Sequence, residues 1–332
     1  MNQTGLGKYA DSVGKCLENE GIEFNSIPFV ISLSGGWFNL FADGFIRPLI
    51  SVLRSNSKDR TFHATDELCG VFFPLIRGRK ILTVHHVVKK GEYRGALYYA
   101  MWNIITAMAI KSSDKVIAIS GPTKKEIIEK FGVDPGKVVC VMNPIDDEYR
   151  ILENTKKEKM IGCLGMLIPR KNTSSAIAAF KLLSDRDGMS DYCLEICGKG
   201  PEKEKLHKLA ADLEIDSRVR FVSDLSNDDV VRFYNRSALI FNTSLHEGIG
   251  LVTMEAQRCG TPVLHLARAK IPEEITRFSV PCADEADMAG KAYELLADPK
   301  AYAELAGASK EYADAFGKNY CQRYIDLIMD LK

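Results

Sequence analysis

Short apolar segments alternate with amphipathic segments along most of the chain. In the first half, KILTVHHVV at 80–88, KVIAIS at 115–120 and KVVCVMN at 137–143 are apolar runs of strand length. Between them lie a long apolar segment that ends at Ile110 and the amphipathic segment GPTKKEIIEKF at 121–131. Strand-length runs that alternate with helix-length segments are typical of βαβ units. The pattern therefore predicts a parallel sheet with helices on both faces.

The same alternation restarts in the second half of the chain. The polar stretch at 143–159, NPIDDEYRILENTKKEK, shows neither helical nor strand periodicity and is predicted to be a linker. After it, strands and helices are expected to alternate from residue 160 to residue 267, in the order MIGCLG, NTSSAIAAFKLL, YCLEICG, PEKEKLHKLAADL, RVRFVS, NDDVVRFYNRS, ALIFNTS, LVTMEAQRCG and PVLHLA.

The length of the chain favours two domains. The 332 residues are more than a single hydrophobic core usually contains. The two runs of alternating segments therefore predict two doubly wound α/β domains, residues 1–153 and 154–316. Open α/β sheets bind ligands at the carboxyl ends of their strands, so a site is expected in a cleft where the two domains face each other.

Composition excludes several classes of protein. The chain has 44 basic and 44 acidic residues, and this balance argues against a nucleic-acid-binding protein, which relies on positive charge. None of the nine cysteines has C-x2-C spacing, and the closest pair, Cys193 and Cys197, is expected to pack in a core rather than to form a metal site or a disulfide. The N-terminus lacks the apolar stretch of a signal peptide. A cytoplasmic location fits these features.

The longest apolar run without a charge is GALYYAMWNIITAMAI at 95–110. It is shorter than the roughly 20 residues that a membrane-spanning helix needs. We interpret it as a buried helix of the first domain. The alternative is a helix that lies on a membrane surface, which would make the protein a peripheral one.

Candidate chemistry is concentrated in HEGIGLVTMEAQRCGTP, in the second half of the chain. Gly248 and Gly250 allow a tight turn and leave room for a ligand close to the backbone. A helix is expected to begin at Leu251, and the N–H groups of its first turn would favour a phosphate. Glu247 before the turn and Glu255 in the helix can accept hydrogen bonds from sugar hydroxyls. The segment therefore predicts a nucleotide-sugar site.

Taken alone, the segment would also fit an ordinary glycine turn with two solvated glutamates. However, the stretch from Glu247 to Val263 resembles, nearly residue for residue, the glutamate-x7-glutamate motif of glycosyltransferase family 4. Other segments resemble motifs of that family in the same order: GLGKY, TVHH, AISGPTKKEI, IGCLGMLIPRKN and EICGKGPEKEKL. The resemblance covers nearly the whole chain. It implies the GT-B fold, in which two Rossmann-like domains face each other across a cleft, and a C-terminal helix at 317–332 that packs back on the N-terminal domain.

The resemblance also implies roles for individual residues. Lys171 would neutralise the diphosphate, Glu247 would contact the donor sugar, and His85 would reach the same sugar from the first domain. Glu255 would bind the ribose hydroxyls. The resemblance also implies further substrate-binding positions. They are Gly5 and Gly7 in GLGKY, Arg170 beside Lys171, and Gly248, Ile249, Gly250 and Leu251 in the glycine turn. The family pattern implies no metal and no cofactor.

The chain departs from the family pattern at several positions, and two of these departures bear on the predicted site and fold. Met166 follows Gly165 where the family usually has an arginine, so either Arg170 takes over that role or donor binding is weaker. Only MNQT precedes GLGKY, where the family has a strand, so either the first strand of the N-terminal domain is missing from this chain or the fold is modified.

The sequence thus predicts a retaining, metal-independent glycosyltransferase. It would move a hexose from a nucleotide diphospho-sugar to the hydroxyl of a glycan, a lipid-linked acceptor or a small molecule. Two alternatives remain open, a non-catalytic GT-B protein that binds a nucleotide-sugar and a GT-B sugar epimerase or phosphorylase. A nicotinamide dehydrogenase is disfavoured because GLGKY follows no predicted strand and lacks a third glycine.

Overall fold

The chain divides into two compact units. The computed structural model describes residues 5–27, 46–89, 96–143, 145–316 and 318–331. The first unit combines the chain up to Asn143 with the segment from Asn319 onwards. The second unit runs from Pro144 to Lys318. The division therefore falls before the predicted boundary at residue 153.

The first unit contains a parallel sheet with the strand order β1-β2-β3-β4 among the described residues. Ile81, Leu82 and Val84 of the second strand are fully buried, because helices cover both faces of a parallel sheet. The strands are β1 (Thr61–Ala64), β2 (Arg79–Val84), β3 (Lys115–Ala118) and β4 (Val138–Cys140). The helices are α1 (Gly5–Asn19), α2 (Arg47–Ser55), α3 (Ala96–Ser112) and α4 (Gly121–Phe131), with a 3₁₀ segment at Leu68–Leu75.

The second unit contains a six-stranded parallel sheet with the order β10-β9-β8-β5-β6-β7. Strands β6 and β7 lie in turn on one side of β5, and β8, β9 and β10 lie in turn on the other side. The strands are β5 (Met160–Leu164), β6 (Cys193–Cys197), β7 (Val219–Val222), β8 (Leu239–Asn242), β9 (Val263–Leu266) and β10 (Val280–Cys282). The helices are α5 (Thr173–Ser184), α6 (Lys203–Asp212), α7 (Asn227–Arg236), α8 (Leu251–Arg258), α9 (Glu273–Thr276), α10 (Glu285–Ala297) and α11 (Pro299–Ala315).

The stretch predicted to be a linker packs on the second unit instead. Asn235 of α7 accepts a hydrogen bond from the N–H of Leu152 and donates one to the carbonyl of Arg150, both at 2.9 Å. Tyr149 is buried, with 3% of its surface exposed. A segment without regular structure can stay ordered where side chains satisfy the hydrogen bonds of its backbone. The polar sequence of this segment does not reveal those hydrogen bonds, because Asn235 is far away along the chain.

A C-terminal helix, α12 (Tyr320–Met329), packs against α1 in the first unit. A disulfide joins Cys16 of α1 to Cys321 of α12, and their Cα atoms lie 5.1 Å apart. The sequence analysis did not predict this bond. Cysteine spacing detects only local pairs, and these two cysteines are separated by 305 positions. Cys193 and Cys197 are free, and Cys197 is buried as expected.

Candidate functional site

The loop after β5 carries Arg170 and Lys171 and is called the basic loop, and the loop after β8 carries Glu247 and is called the glutamate loop. The two loops meet at the point where the strand order of the second sheet reverses. The adjacent strands β5 and β8 are continued by these two loops. The N–H of Leu245 donates to the carbonyl of Arg170 at 2.9 Å, and the hydroxyl of Thr243 donates to the carbonyl of Lys171 at 3.2 Å. Such a switch point is the usual ligand position of an open α/β sheet, because the connections leave it in opposite directions.

Two cations share one carboxylate at this position. The ammonium of Lys171 donates to Oε1 of Glu247 at 2.5 Å, and the guanidinium of Arg170 donates to Oε2 at 3.2 Å. Arg170 also donates to the carbonyl of His246 at 2.7 Å. The Glu247 side chain is 9% exposed, whereas Lys171 is 15% and Arg170 29% exposed. The carboxylate therefore lies beneath the two cations, and they face the solvent side of the cluster.

The electrostatics of the cluster favour an anion. Burial acts to raise the pKa of Glu247, but the charge and hydrogen bond of Lys171, a hydrogen bond from Ser244 and the charge of Arg170 hold that pKa below its ordinary value. Glu247 is therefore ionised at neutral pH. Lys171 and Arg170 place positive charge on the solvent side of the cluster. Such charge attracts a phosphate group.

The glycine turn has the backbone geometry that the sequence predicts. Gly250 lies in the left-handed region at φ 84°, and α8 begins directly after it. A Cβ on Gly250 would lie 3.3 Å from the methyl groups of Ile271 and Ile275, so a side chain would be crowded as well as strained. No side chain caps the start of α8. The first-turn amides of α8 point out of a helix whose dipole favours an anion there.

Glu255 is held by a tyrosine that the sequence analysis did not single out. The hydroxyl of Tyr234 donates to Oε2 of Glu255 at 2.8 Å. Tyr234 is fully buried, and Tyr149 packs edge-on against it with 6.0 Å between ring centroids. Burial, together with the charge of Glu255, raises the pKa of Tyr234 well above its ordinary value, so the phenol remains a donor. Tyr234 stands in an amphipathic helix like any core tyrosine, and no sequence signal marks it.

The loops after β5 and β6 approach each other closely. The N–H of Gly165 donates to the backbone carbonyl of Cys197 at 3.0 Å, and the N–H of Leu167 donates to the backbone carbonyl of Lys199 at 2.8 Å. A Cβ on Gly198 would lie 1.8 Å from the carbonyl oxygen of Gly165, so only glycine fits. Met166 lies in the same stretch with 60% of its surface exposed. Its side chain is therefore not part of the core.

His85 belongs to the first unit, where it follows β2. Its Nε2 lies 2.8 Å from the carbonyl of Thr65, and since a carbonyl only accepts, the ring proton is on Nε2. Burial lowers the pKa of His85, although the Thr65 carbonyl and the charge of Asp66 act in the opposite direction. The buried carboxyl group of Glu67 accepts from the backbone N–H groups of His85 and His86, at 2.6 and 2.8 Å. The imidazole is therefore neutral and its backbone is held in place.

Gly5 and Gly7 lie in the first turns of α1. The structure brings Arg170, Lys171 and Glu247 together beside the glycine turn, all within the second unit. His85 and the two N-terminal glycines lie in the first unit, and their contact with the same ligand remains a prediction. Among the described residues, no group of three or more His, Cys, Asp or Glu side chains could hold a metal ion.

Two family models match the chain. The model described as glycosyl transferases group 1 matches residues 145–312, and the model described as Glycosyltransferase Family 4 matches residues 5–149. The two matches meet close to the division between the two units.

Two curated relatives are about a quarter identical to the chain over the aligned residues. It is 25% identical over 191 residues to the O-antigen chain mannosyltransferase RfbU of Salmonella typhimurium, covering 58% of this chain and 52% of that protein. It is 26% identical over 231 residues to the D-inositol 3-phosphate glycosyltransferase of Streptomyces bingchenggensis, covering 63% and 50%. The chain thus spans about half the length of these relatives.

The fold is similar to that of Alr3699/HepE from Anabaena, solved in complex with UDP and glucose. The TM-score is 0.76 at 15% identity, and the match covers 99% of this chain and 96% of that one. At this identity the likeness shows the fold alone. Together with the two parallel-sheet units, it confirms the predicted GT-B architecture.

Proposed function

We propose, from the premise that this chain belongs to the family of group 1 glycosyl transferases, that it moves a sugar from a nucleotide diphospho-sugar to an acceptor hydroxyl. The observation that carries the proposal is the Arg170–Lys171–Glu247 cluster beside the glycine turn. It combines positive charge and oriented amides at the switch point of the second sheet, which are the groups that a diphosphate needs.

The leaving group explains why this cluster would act in catalysis. Negative charge develops on the nucleoside diphosphate as the glycosidic bond breaks, and fixed positive charge stabilises that transition state. A charge pair near a protein surface is worth up to about 4 kcal/mol at 4 Å, whereas a helix terminus contributes about 0.3 to 2 kcal/mol. Lys171 would therefore contribute more than the dipole of α8. Arg170 would add a planar donor for the same diphosphate, in place of the arginine that Met166 replaces.

Two carboxylates would hold the sugars at either end of the diphosphate. Both oxygens of Glu247 accept from the basic pair, but a carboxylate has about four acceptor positions and can also bind a donor-sugar hydroxyl. Glu255, fixed by Tyr234, would accept from the ribose hydroxyls. Amides from Gly248, Ile249 and the start of α8 would lie between them.

His85 would complete the donor site from the first unit. With its proton on Nε2 facing Thr65, the neutral imidazole presents a lone pair on Nδ1. That lone pair can accept a hydrogen bond from a sugar hydroxyl. A neutral ring in this role would not compete with Lys171 for the diphosphate. Gly5 and Gly7 lie in the first turns of α1. Because glycine has no side chain, a substrate would be able to approach the backbone closely there.

The finer chemistry is proposed on the family's pattern and on the relatives. A hexose donor is supported by the names of a mannosyltransferase relative and of a structural neighbour solved with UDP and glucose. We further propose that the transfer retains the anomeric configuration and needs no metal, since Arg170, Lys171 and the helix amides can hold the diphosphate. The acceptor would be a glycan, a lipid-linked sugar or a small molecule.

The cytoplasmic location remains a prediction. Seven of the nine cysteines are free, which favours a reducing compartment. The Cys16–Cys321 disulfide is of a kind more usual in an oxidising one. No helix among the described residues is long and apolar enough to cross a membrane.

A donor panel tests the proposal. The protein is incubated with UDP-, GDP- and ADP-sugars, with and without EDTA, and released nucleoside diphosphate is measured along with the melting temperature. We expect one donor to raise the melting temperature and to be turned over in the presence of EDTA. A donor that binds without turnover would favour the non-catalytic alternative, and release of free monosaccharide or dependence on phosphate would favour an epimerase or phosphorylase.

Lys171→Ala separates catalysis from folding in the same assay. The substitution removes a charge beside the expected diphosphate, so turnover at saturating donor should fall by at least about tenfold, which is 1.4 kcal/mol. Lys181→Ala is the matched control, because Lys181 forms an exposed pair with Asp185 on α5 of the same unit. A Lys171→Ala protein that melts earlier but keeps wild-type turnover would show that Lys171 is only structural.

A further inference from the structure

A chain of polar side chains runs through the interior of the first unit. The Nδ1 of His63 on β1 lies 2.7 Å from the hydroxyl of Tyr324 on α12, and its Nε2 lies 2.8 Å from the hydroxyl of Thr83 on β2. The hydroxyl of Thr83 in turn lies 2.9 Å from that of Tyr9 on α1. Tyr324, Thr83 and Tyr9 are each 2% exposed or less. We call these four residues the tyrosine–histidine network, and it joins two strands to two helices.

The hydrogen bonds of this network depend on one another. Burial, followed by repulsion between its charged form and that of His85, lowers the pKa of His63 to about 3, so the His63 ring is neutral at pH 7. In a neutral imidazole one nitrogen donates and the other accepts. The roles of the two bonds to His63 are therefore linked, and bonds linked in this way strengthen each other in a buried site. Loss of the Tyr324 hydroxyl would therefore change the bond between His63 and Thr83 as well.

The network ends against His85, the residue proposed to reach the donor sugar. The ring of Tyr9 packs edge-on against the His85 imidazole, with 4.8 Å between the ring centroids and 85° between the ring planes. Thr83 and His85 are two positions apart, the spacing of side chains on one face of a strand. Tyr9 therefore contacts both, and its hydroxyl is held by Thr83 while its ring contacts His85. Together with the bond from Nε2 to the carbonyl of Thr65, this ring contact sets the orientation of the imidazole.

The helices α1 and α12 are fixed to each other beside the network. The Cys16–Cys321 disulfide joins them. Cys16 lies seven positions after Tyr9, and Cys321 lies three positions before Tyr324, so each cysteine is on the same helix face as the tyrosine. Tyr9, Cys16 and Tyr324 belong to one buried cluster, and Cys321 packs against it. The disulfide therefore restricts the movement of one tyrosine relative to the other.

We propose that the tyrosine–histidine network positions His85 for the donor sugar, so that Tyr324 and Tyr9 affect sugar binding. Both tyrosines are buried, so they act through His85 and are positioning residues. The inference rests on the proposed function, because it needs the contact between His85 and the donor sugar. It gives α12 a part in substrate recognition. A network that only stabilises the core would instead change the melting temperature without distinguishing a nucleotide-sugar from its nucleoside diphosphate.

Nitrogen NMR of the histidine side chains tests the network without any ligand. The signals of the two histidines are assigned with His63→Gln and His85→Gln. Tyr324→Phe removes the hydroxyl that contacts His63, and Tyr9→Phe removes the hydroxyl that contacts Thr83, while both variants keep the aromatic ring. We expect each of the two substitutions to shift the ring-nitrogen signals of both histidines.

Ser113→Ala is the matched control for these two variants. Ser113 is buried in the same unit, and its hydroxyl donates to the backbone carbonyl of Ala109 at 2.6 Å. The control loses a buried hydroxyl outside the network and should shift neither histidine. A Tyr324→Phe protein in which only His63 responds would show that the network does not reach His85, and the proposal would be overturned.

Calorimetry measures the consequence for the donor sugar. The probes are three pairs: UDP-glucose with UDP, GDP-mannose with GDP and ADP-glucose with ADP. For the pair that the wild type binds, Tyr9→Phe and Tyr324→Phe should weaken the nucleotide-sugar about three- to tenfold. Both variants should bind the nucleoside diphosphate as the wild type does. In a His85→Ala background, neither substitution should weaken the nucleotide-sugar further, because the effect passes through His85.

The outcomes separate this inference from the proposed function. A wild type that binds none of the six probes overturns the proposed function, and with it the role of the network in sugar binding. A wild type that binds a nucleotide-sugar, with tyrosine variants that bind the nucleotide-sugar as well as the wild type does, overturns the network alone. The same holds if the variants weaken the nucleotide-sugar and the nucleoside diphosphate equally, or if their effect persists in the His85→Ala background.

Discussion

Glu247 is the residue on which the charges of the second unit converge, and its ionisation should govern the acid stability of that unit. Its pKa is held below the ordinary value by Lys171, Ser244 and Arg170 against the effect of burial. A carboxyl with a lowered pKa binds fewer protons in the folded state. Its contribution to stability is therefore present above the ordinary pKa and is lost as the pH falls through the folded value.

Glu247→Gln tests this dependence. The variant leaves Lys171 and Arg170 without their carboxylate, and breaking a buried pair costs about 3 to 5 kcal/mol. We expect that loss in the free energy of unfolding at pH 7, measured with urea, and a smaller difference from wild type below about pH 4. Glu158→Gln is the control, since Glu158 pairs with Arg236 at the surface and should cost about 1 kcal/mol or less. A Glu247→Gln difference that is the same at both pH values would refute the depressed pKa.

Tyr234 should act on the nucleotide through Glu255. Tyr234→Phe removes one hydrogen bond to a carboxylate, and such bonds are worth about 1.5 to 3 kcal/mol. Since the ribose is remote from the bond that breaks, KM for the donor should rise several-fold while kcat stays near wild type. Tyr302→Phe is the matched control, because Tyr302 is also in the second unit and donates to the backbone carbonyl of Ala238. If both variants change KM equally, Tyr234 has no special link to Glu255.

At the scale of elements, alternation of apolar and amphipathic segments was enough to predict the strands and helices of the second unit up to β9, but not β10 or the helices that follow β9. It could not predict which parts of the chain lie side by side. The neighbouring position of β5 and β8, and hence the pairing of Lys171 with Glu247, follows from sheet order. The hydrogen bonds that hold 145–159 and the Tyr234–Glu255 contact likewise depend on residues far apart in sequence.

The disulfide between α1 and α12 should stabilise the first unit specifically. It closes a loop across nearly the whole chain, and disulfides typically contribute about 2 to 4 kcal/mol, more for longer loops. We expect Cys16→Ser to lower the unfolding midpoint of the first unit and to leave that of the second unchanged. Buried Cys282→Ser in the second unit is the control for replacing a free cysteine. Equal unfolding of wild type with and without a reductant would show that the bond contributes nothing to stability.

At the scale of the whole molecule, the proposed reaction needs both units, whereas most of the proposed donor contacts lie in the second. Glu255, the glycine turn and Lys171 would hold the nucleoside diphosphate. His85 alone among the proposed catalytic residues belongs to the first unit. A nucleoside diphosphate should therefore affect the second unit alone, whereas an intact nucleotide-sugar should affect both units.

Hydrogen exchange can separate the two contributions. A nucleoside diphosphate should slow exchange of the backbone amides from Gly248 to Glu255 and leave those of His85 and His86 unchanged, because it lacks the sugar that His85 would contact. The intact nucleotide-sugar should slow exchange in both segments, since a ligand that binds only one folded arrangement stabilises whatever it touches. In a His85→Ala protein, the nucleotide-sugar should protect only the segment of the second unit. Protection of His86 by the diphosphate alone would mean that the first unit responds to the nucleotide rather than to the donor sugar, and the role proposed for His85 would then be wrong.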